Sequence, residues 1–179
     1  MDLREKKTKR NIKNAFLELR AKKPLERISV KELAELAEIS KATFYLHYHD
    51  IYDLSDQLQK ELLENVLDSI PQPELVLSDS VKFIELLFHA FYAHQTQIDI
   101  LFSGSQSSVL PTNIEKELKD YIFKLVPHAK DDAKTNILLT FQIQGGFYAY
   151  QKYHKKYDID YIMDVLNDSY KITYPAIEH

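Results

Sequence analysis

The chain has 179 residues and no cysteine, so neither a disulfide framework nor a thiolate metal site is available to it. Only three glycines and six prolines occur. That leaves little turn chemistry for an all-β fold. Long hydrophobic runs are missing too. The N-terminus, MDLREKKTKR, lacks the apolar core of a secretory signal, and the most apolar segment, Phe83 to Ala93, is short and carries Glu85 and His89. What remains, 45% hydrophobic and 28% charged residues, suits long amphipathic helices. The expectation is an all-α, soluble, cytoplasmic chain, long enough for one sizeable core or for a small module attached to a larger one.

Recognisable catalytic patterns are also absent: there is no GxGxxG, no Walker sequence and no HExxH. His89 and His94 stand five apart and diverge by more than a quarter turn on a straight helix, while His47 and His49 nearly oppose each other. No catalytic residue, metal site or cofactor is expected, and the chain is not read as an enzyme.

The net charge of −4 conceals an asymmetry. Residues 1–50 hold 12 Lys and Arg against 8 Asp and Glu, net +4, whereas residues 51–179 hold 11 against 19, net −8. A polyanion partner therefore suits the first fifty residues and not the rest, because counterion release favours binding only where cations line the surface.

Along the chain, Thr8 or Lys9 is expected to open an amphipathic helix with Ile12, Ala15, Phe16 and Leu19 on one face, ended by Pro24. Ser29 and Glu32 have capping-box spacing ahead of Leu33, Ala34 and Leu36. A turn at Glu38 to Ser40 leads to a short helix reaching about Tyr48. Asp50 then caps a longer one with the stripe Ile51, Leu54, Leu58, Leu62 and Val66. Pro71 and Pro73 mark residues 70–79 as a linker or loop. Two stripes follow, Val81, Ile84, Phe88, Phe91 and Phe83, Leu87, Ala90, which predict a helix buried on much of its circumference. A helical turn from Thr96 to Phe102 meets a serine-rich loop. Thr112 and Glu115 suggest a second capping box, for a helix closed by Pro127; Asp131 or Asp132 starts the longest helix, to about Lys156, and Asp158 the last, with Ile159, Ile162, Met163, Leu166 and Tyr170 aligned.

The segment from Ile28 to Asp50 reads as two short helices joined by a tight turn. Ile28, Val30, Leu33, Ala34, Ile39, Phe44 and Tyr48 supply an inner face against Phe16 and Leu54. Lys41, Ala42, Thr43, Tyr45 and His47 are left pointing outward near the start of the second helix, as a helix lying in a DNA major groove requires.

Here the chain resembles the TetR family of bacterial transcription regulators, carried by VKELAELAEISKATFYLHYHDIYDL from Val30 to Leu54 and covering about residues 8–60. The resemblance implies an N-terminal three-helix DNA-binding domain with a helix-turn-helix, residues 1–50, followed by a larger helical-bundle domain for dimerisation and effector binding, residues 51–179. It further implies that Ser40, Lys41, Thr43, Tyr45 and His47 contact bases or phosphates and that Ser29 and Lys31 meet phosphate. Ala42 lies within the same surface, and Arg4, Lys6, Lys7, Lys9 and Arg10 could form a basic arm. Two positions depart from the pattern. Glu38 stands where glycine is usual, and Ile51 where a lysine is usual, with His49 a partial replacement for that phosphate contact.

The expected function is a homodimeric repressor that binds a palindromic operator in double-stranded DNA, since two recognition helices about 34–36 Å apart read such a site. The family plan places the dimer contact on the last two helices, and Gly145 and Gly146 suit close helix approach. A small-molecule effector pocket could be lined by Phe88, Phe91, Tyr92, Tyr121, Phe141, Gln144 and Tyr148, although each of these reads more readily as an ordinary core residue. The alternative is a TetR-like co-activator or interaction protein acting mainly through a protein partner.

Overall fold

The computed structural model describes residues 3–72, 75 and 79–173, with the side chains of 80, 81 and 170–173 left aside. Pro73, and the side chains of Val81 and Tyr170 used in the helical stripes above, lie outside the described residues. Among those described there are nine α-helices and no strand. They are α1 (Leu3–Lys22), α2 (Val30–Leu36), α3 (Lys41–Tyr45), α4 (Ile51–Asp68), α5 (Ser80–Ala93), α6 (Gln95–Leu101), α7 (Leu110–Leu125), α8 (Ala133–Tyr153) and α9 (Ile159–Thr173), with 3-10 turns at Leu25–Arg27, Gly104–Ser108 and Pro127–Asp131. No helix among the described residues is long and apolar enough to cross a membrane.

Packing groups the chain into two compact units, Met1–Leu62 with His94–Leu110, and Leu63–Ala93 with Pro111–His179. In the first, Ile12, Phe16 and Leu19 of α1 are buried with Leu33 and Ala34 of α2, Phe44 of α3 and Leu54 and Leu58 of α4. Residues 94–110 belong to this unit through polar as well as apolar contacts. The buried Gln59 amide donates to the Leu101 carbonyl at 3.2 Å and to Gln106 Oε1 at 3.1 Å. Arg20, also buried, donates from Nη2 to Ser103 Oγ at 2.7 Å and to its carbonyl at 3.2 Å. Burial lowers the Arg20 pKa, and the nearby Glu26 charge opposes that shift.

In the second unit Leu67, Ile70, Phe83, Leu87, Leu118 and Ile122 form a core, with Phe91, Tyr121, Leu139 and Ile143 packed against it. The Phe83 and Tyr121 rings stack at 6.3 Å. Ile70 and Leu75, within the segment expected as a linker, join this packing.

Three local expectations are corrected. First, α1 begins at Leu3, not at Thr8 or Lys9, so Arg4, Lys6, Lys7, Lys9 and Arg10 are helical residues rather than a loose arm. The Lys- and Glu-rich start is a good helix former, and Glu5 lies 3.1 Å from Lys9 one turn on. Second, α7 starts at Leu110 with Pro111 in its first turn, so Thr112 does not cap it. Third, Ser29 does cap α2, accepting from Glu32 N at 3.2 Å, but the Glu32 carboxylate pairs with Lys23 instead of returning to Ser29.

Candidate nucleic-acid interface

Helix α2 stops because Glu38 turns left-handed, with φ 56°. The Ile39 N–H bonds the Ala34 carbonyl at 3.0 Å and the Glu38 N–H bonds the Glu35 carbonyl at 3.3 Å. This pair of bonds is a Schellman closure, and a glutamate at its left-handed position costs about 1 kcal/mol relative to glycine. The turn delivers Ser40, extended at φ −78° and ψ 155°, as the N-cap of α3. Its Oγ accepts from Thr43 N at 3.0 Å and lies 2.8 Å from Thr43 Oγ1.

Phe44 is fully buried and Tyr48 nearly so, their ring centroids 5.6 Å apart. Burial, with lesser help from the charges of Glu61 and Asp53, pushes the Tyr48 hydroxyl pKa up, so it stays protonated. With those two rings inward, Ala42 and Leu46 lie on the opposite face and Tyr45 beside them, all exposed, while Lys41 is exposed at the first turn of the helix. Tyr45 is 57% exposed and rests edge-on against Phe44 at 5.5 Å.

The remaining expected contact residues fall into different settings. Lys31, Ser29 and His49 are exposed, with Lys31 Nζ 4.0 Å from Glu35. Thr43 and His47 are half-buried. At the start of α4, the His49 N–H donates to Asp53 Oδ2 and the Asp53 N–H to Asp50 Oδ1, both at 2.8 Å. Gln57 also donates to Asp53, and this bond first, then that from His49, holds the Asp53 carboxyl below its usual range. Ile51 is 5% exposed, packed into the core, and presents nothing to a phosphate. Sequence reasoning omitted Leu46, which is 81% exposed. The available signal was its spacing: it lies midway between Phe44 and Tyr48 in sequence and so opposite them on a helix.

The residues considered for an effector pocket are divided by the second unit. Phe91 and Tyr121 pack on its core, and the Phe88 ring meets Tyr150 at 5.8 Å. Tyr92, Phe141 and Tyr148 face solvent. Gln144 instead joins a polar group: its amide donates to Glu115 Oε2 at 2.8 Å, Thr140 donates to Glu115 Oε1 at 2.6 Å, and Lys119 lies 2.9 Å from the same carboxylate. Burial opposes ionisation of Glu115, but these three donors and the Lys119 charge prevail and bring its pKa down to about 2.

Ile137, Phe141, Gly145 and Tyr148 run along one face of α8 and are exposed, the first two at 68% and 67%. Tyr161 and Val165 are exposed on α9, which packs against α8. A Cβ added to Gly145 would meet nothing within 4 Å. Comparison with protein-family models and with curated protein sequences finds no match to this chain.

Proposed function

We propose that this chain is a TetR-like transcription regulator, a homodimeric repressor whose α2–turn–α3 segment is a helix-turn-helix and whose α3 enters the major groove of a palindromic operator. The observation that carries the reading is the two-sidedness of α3. Phe44 and Tyr48 anchor it while Ala42 and Leu46 stand clear on the other side with Tyr45 beside them, and Lys41 is exposed at its first turn. The net charge of +4 over residues 1–50 supports a polyanion partner for this end of the chain. Exposed Arg4, Lys6, Lys7 and Arg10 on α1 add positive charge in the same unit.

Dimerisation is assigned to α8 and α9. A long helix that exposes Ile137, Phe141 and Tyr148 has an apolar face left open by the described residues, and Gly145 leaves room for close approach of a second helix. Repression follows if both recognition helices occupy one operator together. A small-molecule effector bound in the second unit would relieve it by favouring a conformer in which those helices are wrongly spaced. The burial of Ile51 favours a second reading, a co-activator that works through a protein partner, because it removes one phosphate contact of the family pattern. An electrophoretic shift with DNA upstream of the protein's own gene separates the two. Salt-sensitive, sequence-specific retardation supports the repressor, and its absence at moderate ionic strength supports the partner reading.

A further inference from the structure

The crest of α3 is apolar. Ala42 and Leu46 are one turn apart, and Leu46 keeps helical dihedrals, φ −71° and ψ −20°, so the two share a face. On a 3.6-residue helix Leu46 lies about 180° from the mean direction of Phe44 and Tyr48, which anchor the element to the core. At 81% exposure Leu46 is thus the part of this short element turned furthest from its own protein. Its flanks are polar or amphipathic, Tyr45, which is exposed, and Thr43, which is half-buried.

An apolar crest between such flanks has a specific counterpart in a major groove. Base edges there offer donors and acceptors at nearly every position, and the C5 methyl of thymine is the apolar group that replaces them. A leucine set against a guanine or adenine edge would strip water from polar atoms without returning a hydrogen bond. We infer that Leu46 is a specificity-determining residue that selects thymine in each half-site by packing on its C5 methyl, with Ala42 giving the base room to approach. This inference rests on the DNA-binding reading of α3 and adds to it a base preference.

The test uses the full-length protein, wild type and Leu46→Ala, with duplexes selected from a randomised pool. Each thymine of the selected site is replaced in turn by deoxyuridine, which removes the methyl and leaves the Watson–Crick edge intact. For the wild type, one such replacement per half-site is expected to weaken binding about fourfold, as loss of one buried methyl implies. For Leu46→Ala the same replacement should change affinity by less than about 1.5-fold, since its partner is already gone. Unchanged circular dichroism of the variant confirms that it is folded. An equal effect of deoxyuridine in both proteins, or none in either, overturns the thymine contact and leaves DNA binding standing. A pool from which no salt-sensitive binder emerges overturns the DNA-binding reading, and this inference with it.

Discussion

Ser40 and Thr43 close the start of α3 upon each other: the Thr43 N–H donates to Ser40 Oγ at 3.0 Å, and the two hydroxyl oxygens lie 2.8 Å apart. Thr43 therefore has a role in the helix itself, whereas Tyr45, 57% exposed, has little. Ser40→Ala is expected to lower stability by about 1 kcal/mol in urea denaturation. Tyr45→Ala should stay within about 0.5 kcal/mol of wild type in the same assay but weaken operator binding by about 1–3 kcal/mol per half-site. Unchanged affinity in Tyr45→Ala would contradict the orientation assigned to α3.

Glu38 holds a left-handed φ of 56° that a side chain disfavours. Glu38→Gly should raise stability by up to about 1 kcal/mol, the relieved strain exceeding the entropy that glycine adds to the unfolded chain. A lower denaturation midpoint would mean that the carboxylate contributes more than the strain costs.

The exposed faces of α8 and α9 predict a dimer at micromolar concentration in sedimentation analysis, and a monomer of unchanged helicity for Phe141→Glu. Gly145→Ala separates two roles of one glycine. In the Phe141→Glu background it should stabilise the monomer by about 1 kcal/mol, because the added Cβ meets nothing within 4 Å and alanine favours helix. In the wild-type background it should weaken the dimer. A wild-type chain that sediments only as monomer would remove the basis for both statements.

Glu115 has a folded pKa of about 2 against an ordinary 4.5. A depressed carboxylate pKa stabilises the fold above the unfolded value, and that contribution is lost as pH falls from about 4.5 through 2. Glu115→Gln should therefore be less stable than wild type at neutral pH, with the gap narrowing across this window and closing near its lower end. A gap that does not vary with pH would show that the hydrogen bonds from Thr140 and Gln144, rather than the charge, matter.

Much of the helical framework was legible from residue spacing, because buried stripes such as Leu54, Leu58 and Leu62 repeat with the period of the helix. The inward side of Phe44 and Tyr48 followed from the same spacing, whereas spacing gave no sign of the left-handed φ at Glu38, where the family resemblance marked only a position usually held by glycine. Polar residues with internal partners were not legible. Ser55 and Gln59 look like solvent-facing residues beside the α4 stripe, yet both are buried, and Gln59 donates to the distant Leu101 and Gln106 as well as to Ser55. Glu115 resembled a capping residue because Thr112 precedes it by three, but its oxygens accept from Thr140 and Gln144 on another helix. Leucine in an amphipathic pattern reads as core, yet the position of Leu46 midway between Phe44 and Tyr48 sets it opposite them, and its 81% exposure agrees with that spacing.

The central claim is that α3 reads double-stranded DNA. Its most direct measurement is the affinity of the purified full-length protein for duplexes selected from a randomised pool, followed across salt concentration for wild type and Tyr45→Ala. The account predicts enrichment of a palindromic sequence, binding that falls steeply as salt rises, and a marked loss of affinity in the variant. Failure to enrich any sequence, or equal affinity of the two proteins for the enriched one, would contradict it.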